Sequence, residues 1–524
     1  MWMMLVFTVN SLLNFVVSLL VAKFLGPAEY GRFVLALSAS VVIQLLLFDW
    51  LRFAATRFYS ERDRLQRPNV RATLDAAFGW IAFAASLAAF GVYASGLDLP
   101  LSPDLAGLAI GVSISNGLFD FACALLRARF LDKSYGLLVV AKNALAFTLT
   151  VGGAFWFGSA RVAIVGMMVS VLGALFAGRG GLIDDAARDG RAERALGMRF
   201  LAYGMPIISA NILYQSVPLL NRVLVSQSLG FAEAGQYSLA YEIGVRIVGA
   251  IGSALDVILF QLAVLHEKTA GPESARAQVS TNMGVVFAIV APAVLGCWLI
   301  LPSFEHLFVP ESFRGPYAHY FALMAPALAA FALINYAINP AFQIAHRLAP
   351  LVIAALVAVI ANLLAIGLLA TTRDASNYAL AQSISSLAGM AAVTAMLSWL
   401  EPMWPRPRDI FGALAGCAAM LCAVLPLRGM PPGAAAMTAQ ILVGGAVYLA
   451  AVAALDIAGL RTLLRPKIAA RLNGRDGAIS RRGPRKPSRT PPGAPSSGPL
   501  RSQLDSIFDG GLANASDPCY MPPP

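Results

Sequence analysis

A twelve-residue segment, Leu25 to Ala36 (LGPAEYGRFVLA), returns 204 positions later as Leu229 to Ala240 (LGFAEAGQYSLA), with seven of twelve positions identical. Each copy lies between two long apolar stretches, so the repeated unit is the end of one helix, a tight polar turn and the start of the next. In a very hydrophobic chain, a repeat of this kind points to a membrane transporter built from two similar halves.

Composition agrees: 58% of residues are apolar, mean hydropathy is +0.69 and only 13% are charged. A soluble domain carries about twice that share of charge, and no soluble fold buries so much apolar surface. Runs of about 20 apolar residues, enough to cross a bilayer core, occur fourteen times. They begin at 4–24 and 33–55, include a weak sixth at 161–178, and end at 434–458. The expected fold is an all-α polytopic membrane protein with about 14 transmembrane helices, two six-helix lobes related by the repeat, plus two additional helices. The expected divisions are 1–200, 201–400 and 401–460, followed by a tail at 461–524.

Orientation follows from Lys and Arg, which are retained on the cytoplasmic side. With the N-terminus inside, alternate loops carry eighteen basic residues, among them Arg57, Arg71, Arg129, Arg199, Arg276 and Arg408. The opposite loops carry six: Lys23, Arg32, Arg161, Arg314, Arg373 and Arg428. Both termini are therefore expected in the cytoplasm. This bias and the tail account for most of the net charge of +11, and nucleic acid is not implied. The first run has no basic residue before Lys23 and holds Asn10, Ser11 and Asn14, unlike a signal peptide. It is expected to be retained. The tail is basic and rich in Pro, Gly and Ser, a composition that cannot bury a core and reads as disordered.

Catalytic patterns are scarce. The four histidines are scattered, the five cysteines form no CxxC pair, and there is no phosphate-binding or dinucleotide fingerprint. No cofactor or metal is expected. The expected outer loops are short, which argues against a glycosyltransferase, polymerase or ligase.

The informative residues are polar ones inside expected helices, where a charge costs about 2.5 to 3.5 kcal/mol on insertion scales and so tends to face a cavity or a partner. In the eighth helix Glu242, Arg246, Gly249, Ser253 and Asp256 share one face. In the seventh, Asn211, Gln215, Arg222 and Ser226 do the same, and the first carries Asn10, Asn14 and Ser18. Arg222 and Glu242 fall at similar depth. Two readings stand: an internal ion pair, or a cavity lining with a surplus cation, since two arginines share one acid. Asp120 and Lys142 also fall at matching depth and are expected to form a salt bridge in the first lobe. Asp49 and Arg52 read either as an inner gate or as residues snorkelling to the interface. Pro206, Pro218, Pro292, Pro326 and Pro340 mark expected bends.

The segment AKFLGPAEYGRFVLALS, after a first helix with internal Asn, resembles the start of polysaccharide exporters and O-antigen-type flippases of the multidrug/oligosaccharidyl-lipid/polysaccharide (MOP) superfamily. The matching core is Leu25, Gly26, Pro27, Glu29, Tyr30 and Gly31, with a second copy at Leu229, Gly230, Glu233, Gly235 and Tyr237. The resemblance implies two six-helix lobes around a central cavity lined by helices one, two, seven and eight. Its cargo there is polyprenyl-pyrophosphate-linked oligosaccharide, moved between leaflets of the bacterial cytoplasmic (inner) membrane. On that reading Arg222 and Arg246 hold the pyrophosphate, Glu242 tempers them, and Asn10, Asn14, Asn211 and Gln215 contact sugar. Partners would be membrane lipids and a polysaccharide polymerase and export machinery. The turn glycines are expected to serve the helix connection.

This chain departs from the lipid II branch, which has cavity arginines in the first lobe: Arg222 and Arg246 correspond by repeat to Ser18 and Val42. Exopolysaccharide, O-antigen or capsule units are therefore favoured over peptidoglycan precursor. The alternatives are a cation-coupled multidrug exporter, expected to place an acid in the core of helix one or seven, and a polytopic polysaccharide polymerase or ligase.

Overall fold

The structure, a computed structural model, describes residues 2–60, 66–95, 102–345, 347–369 and 374–459, with side chains from residue 13 onward except at Ser95, Ala186, Val257 and Ala458. The expected tail, Arg373 and the side chain of Asn10 lie outside the described residues.

The described chain is helical. In order, the long helices are α1 (Trp2–Leu47), α2 (Asp49–Phe58), α3 (Asn69–Ser95), α4 (Pro103–Ala128), α5 (Asp132–Phe157), α6 (Ala160–Ala177) and α7 (Arg194–Leu229). They continue with α8 (Phe231–Ala270), α9 (Pro272–Phe308), α10 (Pro316–Ile344), α11 (Ala349–Leu369), α12 (Ala375–Leu400), α13 (Pro407–Gly429) and α14 (Ala434–Leu455). Thirteen are long and apolar enough to cross a membrane; the first expected helix, 4–24, and the start of the second, 33–55, are both in α1, and the second runs on into α2. Proline opens α4, α9, α10 and α13, where its missing N–H removes no helix bond.

The repeated turn is shorter than expected. The polar residues 28–32 are already helical, and the break is the single residue Gly26, at φ 69° and ψ 173°. Gly230 breaks the chain between α7 and α8 in the same way, at φ 92° and ψ 171°. A side chain is essentially excluded from this region of backbone space, so the repeat of Leu-Gly is a repeat of one conformation.

For description, α1–α6 are the first half and α7–α12 the second. The main buried cluster joins them: Leu25, Tyr30, Phe33 and Val34 of α1 pack with Tyr237 and Ile243 of α8 and with Phe313, Tyr317 and Phe321. These contacts lie at the end of the bundle that holds both turns, here called the turn end, and the cluster continues through the second half to Ala263, Met283 and Leu397. A second cluster, at the far end, sets Phe48, Trp50 and Leu51 against Phe200 and Ile208 of α7. The helices α13 and α14 pack on α9, where the Tyr448 hydroxyl donates to the Ala288 carbonyl at 2.5 Å and Arg428 lies 4.1 Å from the Trp298 ring. Elsewhere large apolar side chains point outward, among them Trp80, Leu364 and Trp399 at 72%, 62% and 90% exposure. A soluble protein would not leave so many in water, and these helices belong to a multi-pass membrane protein. The expected bend residues Pro206, Pro218, Pro292 and Pro326 lie within continuous helices, and Pro340 follows a π-helical turn at Ile334–Ile338.

Candidate functional site

At the turn end the two copies of the repeat touch each other. A β-carbon on Gly31 would lie 1.9 Å from the carbonyl oxygen of Phe231, and one on Gly235 would lie 2.1 Å from that of Pro27. Each would also stand 3.0 Å from the other glycine's backbone nitrogen, so the contact is symmetric. Only hydrogen fits on either side. Arg32 crosses the same junction, its guanidinium 5.0 Å from the Phe231 ring. Each turn is also tied within its own half by the repeated acid. Glu29 accepts the Ala160 N–H at 2.8 Å and pairs with Arg32, while Glu233 accepts the Tyr320 hydroxyl. The glycine pair thus serves more than its own helix connection, because it is where the halves meet.

Deeper along the same junction lies the charged group. Arg222 on α7 has a side chain only 4% exposed; one terminal nitrogen donates to the Ser38 hydroxyl of α1 and the other to Glu242 of α8 at 2.7 Å. Its plane lies 5.3 Å from the Tyr241 ring. Positions 38 and 242 are separated by the repeat offset of 204, so the guanidinium sits between two equivalent positions, one in each half. Arg246, one turn beyond Glu242, is 35% exposed, lies 3.9 Å from that carboxylate, and has a buried Nε without a hydrogen-bond partner. Two cations therefore share one acid, and Arg246 has no second acid among the described residues. The tie from Arg222 to Ser38 was missed in the sequence, although applying the offset to Glu242 points straight at Ser38.

The remaining candidates divide. Asn211 and Gln215 lie on the α7 face that carries Arg222 and are exposed, and Asn14 is half-buried in α1. Ser253 is exposed and Asp256 half-buried further along α8. Asp49 and Arg52 pair at 2.7 Å, with Asp49 3% exposed. They flank Trp50, whose backbone abuts Gly204 of α7, 2.8 Å from where a β-carbon would stand. Sequence spacing also missed a fully buried carboxamide trio, in which Asn221 donates to Gln382 at 2.6 Å and Asn362 donates to Asn221 at 2.8 Å.

The expected salt bridge between Asp120 and Lys142 does not form. Asp120 accepts from Gln44 at 2.8 Å, and the Lys142 ammonium stands 4.4 Å over the ring of Phe119, one residue before the acid. Depth along a helix was legible from residue counts, but rotation about the axis placed the amide before the acid and the ring before the lysine. Asp120→Ala, which strands the Gln44 amide, should cost about 1–3 kcal/mol, whereas Lys142→Met should cost about 0.5–1 kcal/mol through its ring contact. Thermal melts of the two variants in detergent check this, and equal losses would restore the ion pair.

Among the described residues no cluster of His, Cys, Asp or Glu has the make-up of a metal site.

No protein-family model matches the chain, and no curated protein matches its sequence. Solved structures do match in shape. The lipid II flippase MurJ, in an inward closed conformation, superposes with a TM-score of 0.67 over 89% of this chain and 100% of its own, at 13% identity. An inward-facing multidrug resistance MATE transporter of the MOP superfamily gives 0.55 over 74% of this chain and 93% of its own, at 15% identity. A MOP superfamily transporter from Pyrococcus furiosus, described as having a binding pocket of reversed polarity, gives 0.53 over 76% and 92%, at 16% identity. At these identities the likeness is one of fold, and the fold of this chain is that of the MOP transporters.

Proposed function

We propose that this chain is a flippase of the bacterial cytoplasmic membrane. It carries polyprenyl-pyrophosphate-linked oligosaccharide units from the inner to the outer leaflet, by alternating access between its two halves, and supplies a surface polysaccharide polymerase and its export machinery. The observation that carries the proposal is the surplus cation: Arg246 is part-exposed, only loosely held by Glu242, and lies beside the junction of the halves. A guanidinium with free donors suits phosphate oxygens, which it meets in a fork. Arg222 is engaged in the present conformation and becomes available when the halves part from Ser38. Exposed Asn211 and Gln215 offer amides to sugar hydroxyls on the same face, and Asn14 does so from α1. The apolar tail of the cargo stays in lipid.

The distribution of Lys and Arg supports an orientation with the turn end outside and both termini in the cytoplasm. With the turns in contact the outer side is closed, and on this reading the cargo headgroup enters from the far end once the contact of Trp50 with Gly204, beside Asp49 and Arg52, has parted.

The test is deletion in the host with Arg246→Ala as the complementing copy. The expected result is loss of surface polymer, lipid-linked intermediates retained on the inner leaflet, and rescue reduced about ten- to a hundred-fold by the loss of one charge-assisted bond to phosphate. Normal polymer with altered drug sensitivity would replace this reading with a multidrug exporter.

A further inference from the structure

A cavity of about 500 Å³ opens at the turn end, lined by Glu29, Arg32, Ser102, Ser159, Arg161 and Phe231, and none of these residues belongs to the charged group around Arg222. Its volume lies within the ordinary range for small-ligand sites, roughly 300–1,000 Å³. Its charges are matched: Arg32 pairs with Glu29, and the Arg161 Nε pairs with Asp104 at 2.5 Å. Matched pairs hold no net attraction for an anion. They do present fixed donors beside fixed acceptors, and Ser102 and Ser159 add two hydroxyls that both donate and accept. Phe231 lines one wall, its ring carrying the Arg32 guanidinium at 5.0 Å. Paired donors and acceptors beside a ring match the vicinal hydroxyls and C–H face of a sugar.

The level of the cavity is marked independently. Phe155, Trp156 and Phe157, which run directly into the cavity wall at Gly158, are 57%, 78% and 70% exposed. Consecutive exposed aromatics are anchors of the membrane–water interface, which is where the headgroup of a lipid-linked saccharide lies. One wall also comes from the second half, since Phe231 follows Gly230 directly. The complete cavity therefore exists when the two turns are in contact, and an occupant favours that state.

We infer that this cavity is a saccharide-binding site at the membrane interface, taking the sugar portion of a lipid-linked saccharide while the turn end is closed. The inference rests on the flippase reading and extends it to a site outside the Arg246 cavity.

The test uses the full chain in detergent, titrated with glucose, galactose, mannose, rhamnose and N-acetylglucosamine and read by saturation-transfer difference NMR, with inorganic phosphate as competitor. At least one sugar is expected to receive saturation that phosphate does not displace. Arg161→Ala should weaken that binding about tenfold, the worth of one charge-assisted hydrogen bond, and Ser159→Trp, which fills the cavity without removing charge, should abolish it. Both variants should elute and melt as the parent does, and Arg246→Ala should leave the sugar signal unchanged. Saturation of none of the sugars, or a full signal in both cavity variants, overturns the site, and displacement by phosphate overturns the saccharide class. If these fail while Arg246→Ala still blocks polymer formation, the flippase reading survives alone. If the sugar signal behaves as expected in a protein whose deletion leaves surface polymer intact, the flippase reading is the one that falls.

Discussion

Gly31→Ala is expected to hold the two repeated turns apart and stop the transport cycle. The added methyl would stand 1.9 Å from a backbone carbonyl, where a carbon needs about 3.3–3.6 Å. Backbone lies on both sides, so no side chain can rotate away. Overpacking of this kind costs about 1–3 kcal/mol, which shifts a two-state equilibrium by roughly ten- to a hundred-fold. Gly235→Ala should do the same from the other half. Gly26→Ala is the contrast: its β-carbon meets nothing within 4 Å, and its cost is backbone strain, about 1–3 kcal/mol. It should lower stability without separating the turns. Spin labels at the exposed positions Ala28 and Ala232, in a background freed of native cysteines, report the separation directly. Gly31→Ala should lengthen that distance and Gly26→Ala should not. Unchanged distances in Gly31→Ala would mean that the turns are not the moving contact.

Removing Arg222 has the second large effect. Arg222→Ala leaves Glu242 with only Arg246, 3.9 Å away, and frees Ser38. Breaking a buried ion pair from one side costs about 3–5 kcal/mol, because a desolvated charge remains. Arg222→Lys should not rescue it, since one ammonium cannot make the fork that reaches Ser38 and Glu242 together. The double variant Arg222→Met with Glu242→Leu should recover part of the melting midpoint, because apolar groups replace the Arg222–Glu242 pair while Arg246, 35% exposed, is left without its acid. It should still fail to restore surface polymer. That pairing separates the two readings of the charged group. A double variant that complements the deletion would make the pair purely structural, and an unchanged midpoint in Arg222→Ala would remove the tie between the halves.

Much of the fold was legible in the chain because membrane helices declare themselves locally. Each span must satisfy its own backbone bonds in lipid, so apolar length alone marks it, and the weak sixth span at 161–178 corresponds to α6 at Ala160–Ala177. The polar faces were also legible, since spacing along one helix is a local quantity. Arg222 and Glu242 were placed at one depth by counting residues, and they meet at 2.7 Å. The same counting misassigned Asp120 and Lys142, because depth says nothing about which way a side chain faces across a helix–helix contact.

The sequence by itself determined that the chain crosses a membrane many times and that two segments repeat. These follow from hydropathy and periodicity, which act over a few neighbouring residues. Tertiary structure alone decided that Gly31 faces Gly235, that Arg222 joins Ser38 to Glu242, and that a cavity forms where Phe231 meets Arg32. Those contacts bring together residues up to about 200 positions apart, and no local rule carries the relative placement of two helices over such a separation.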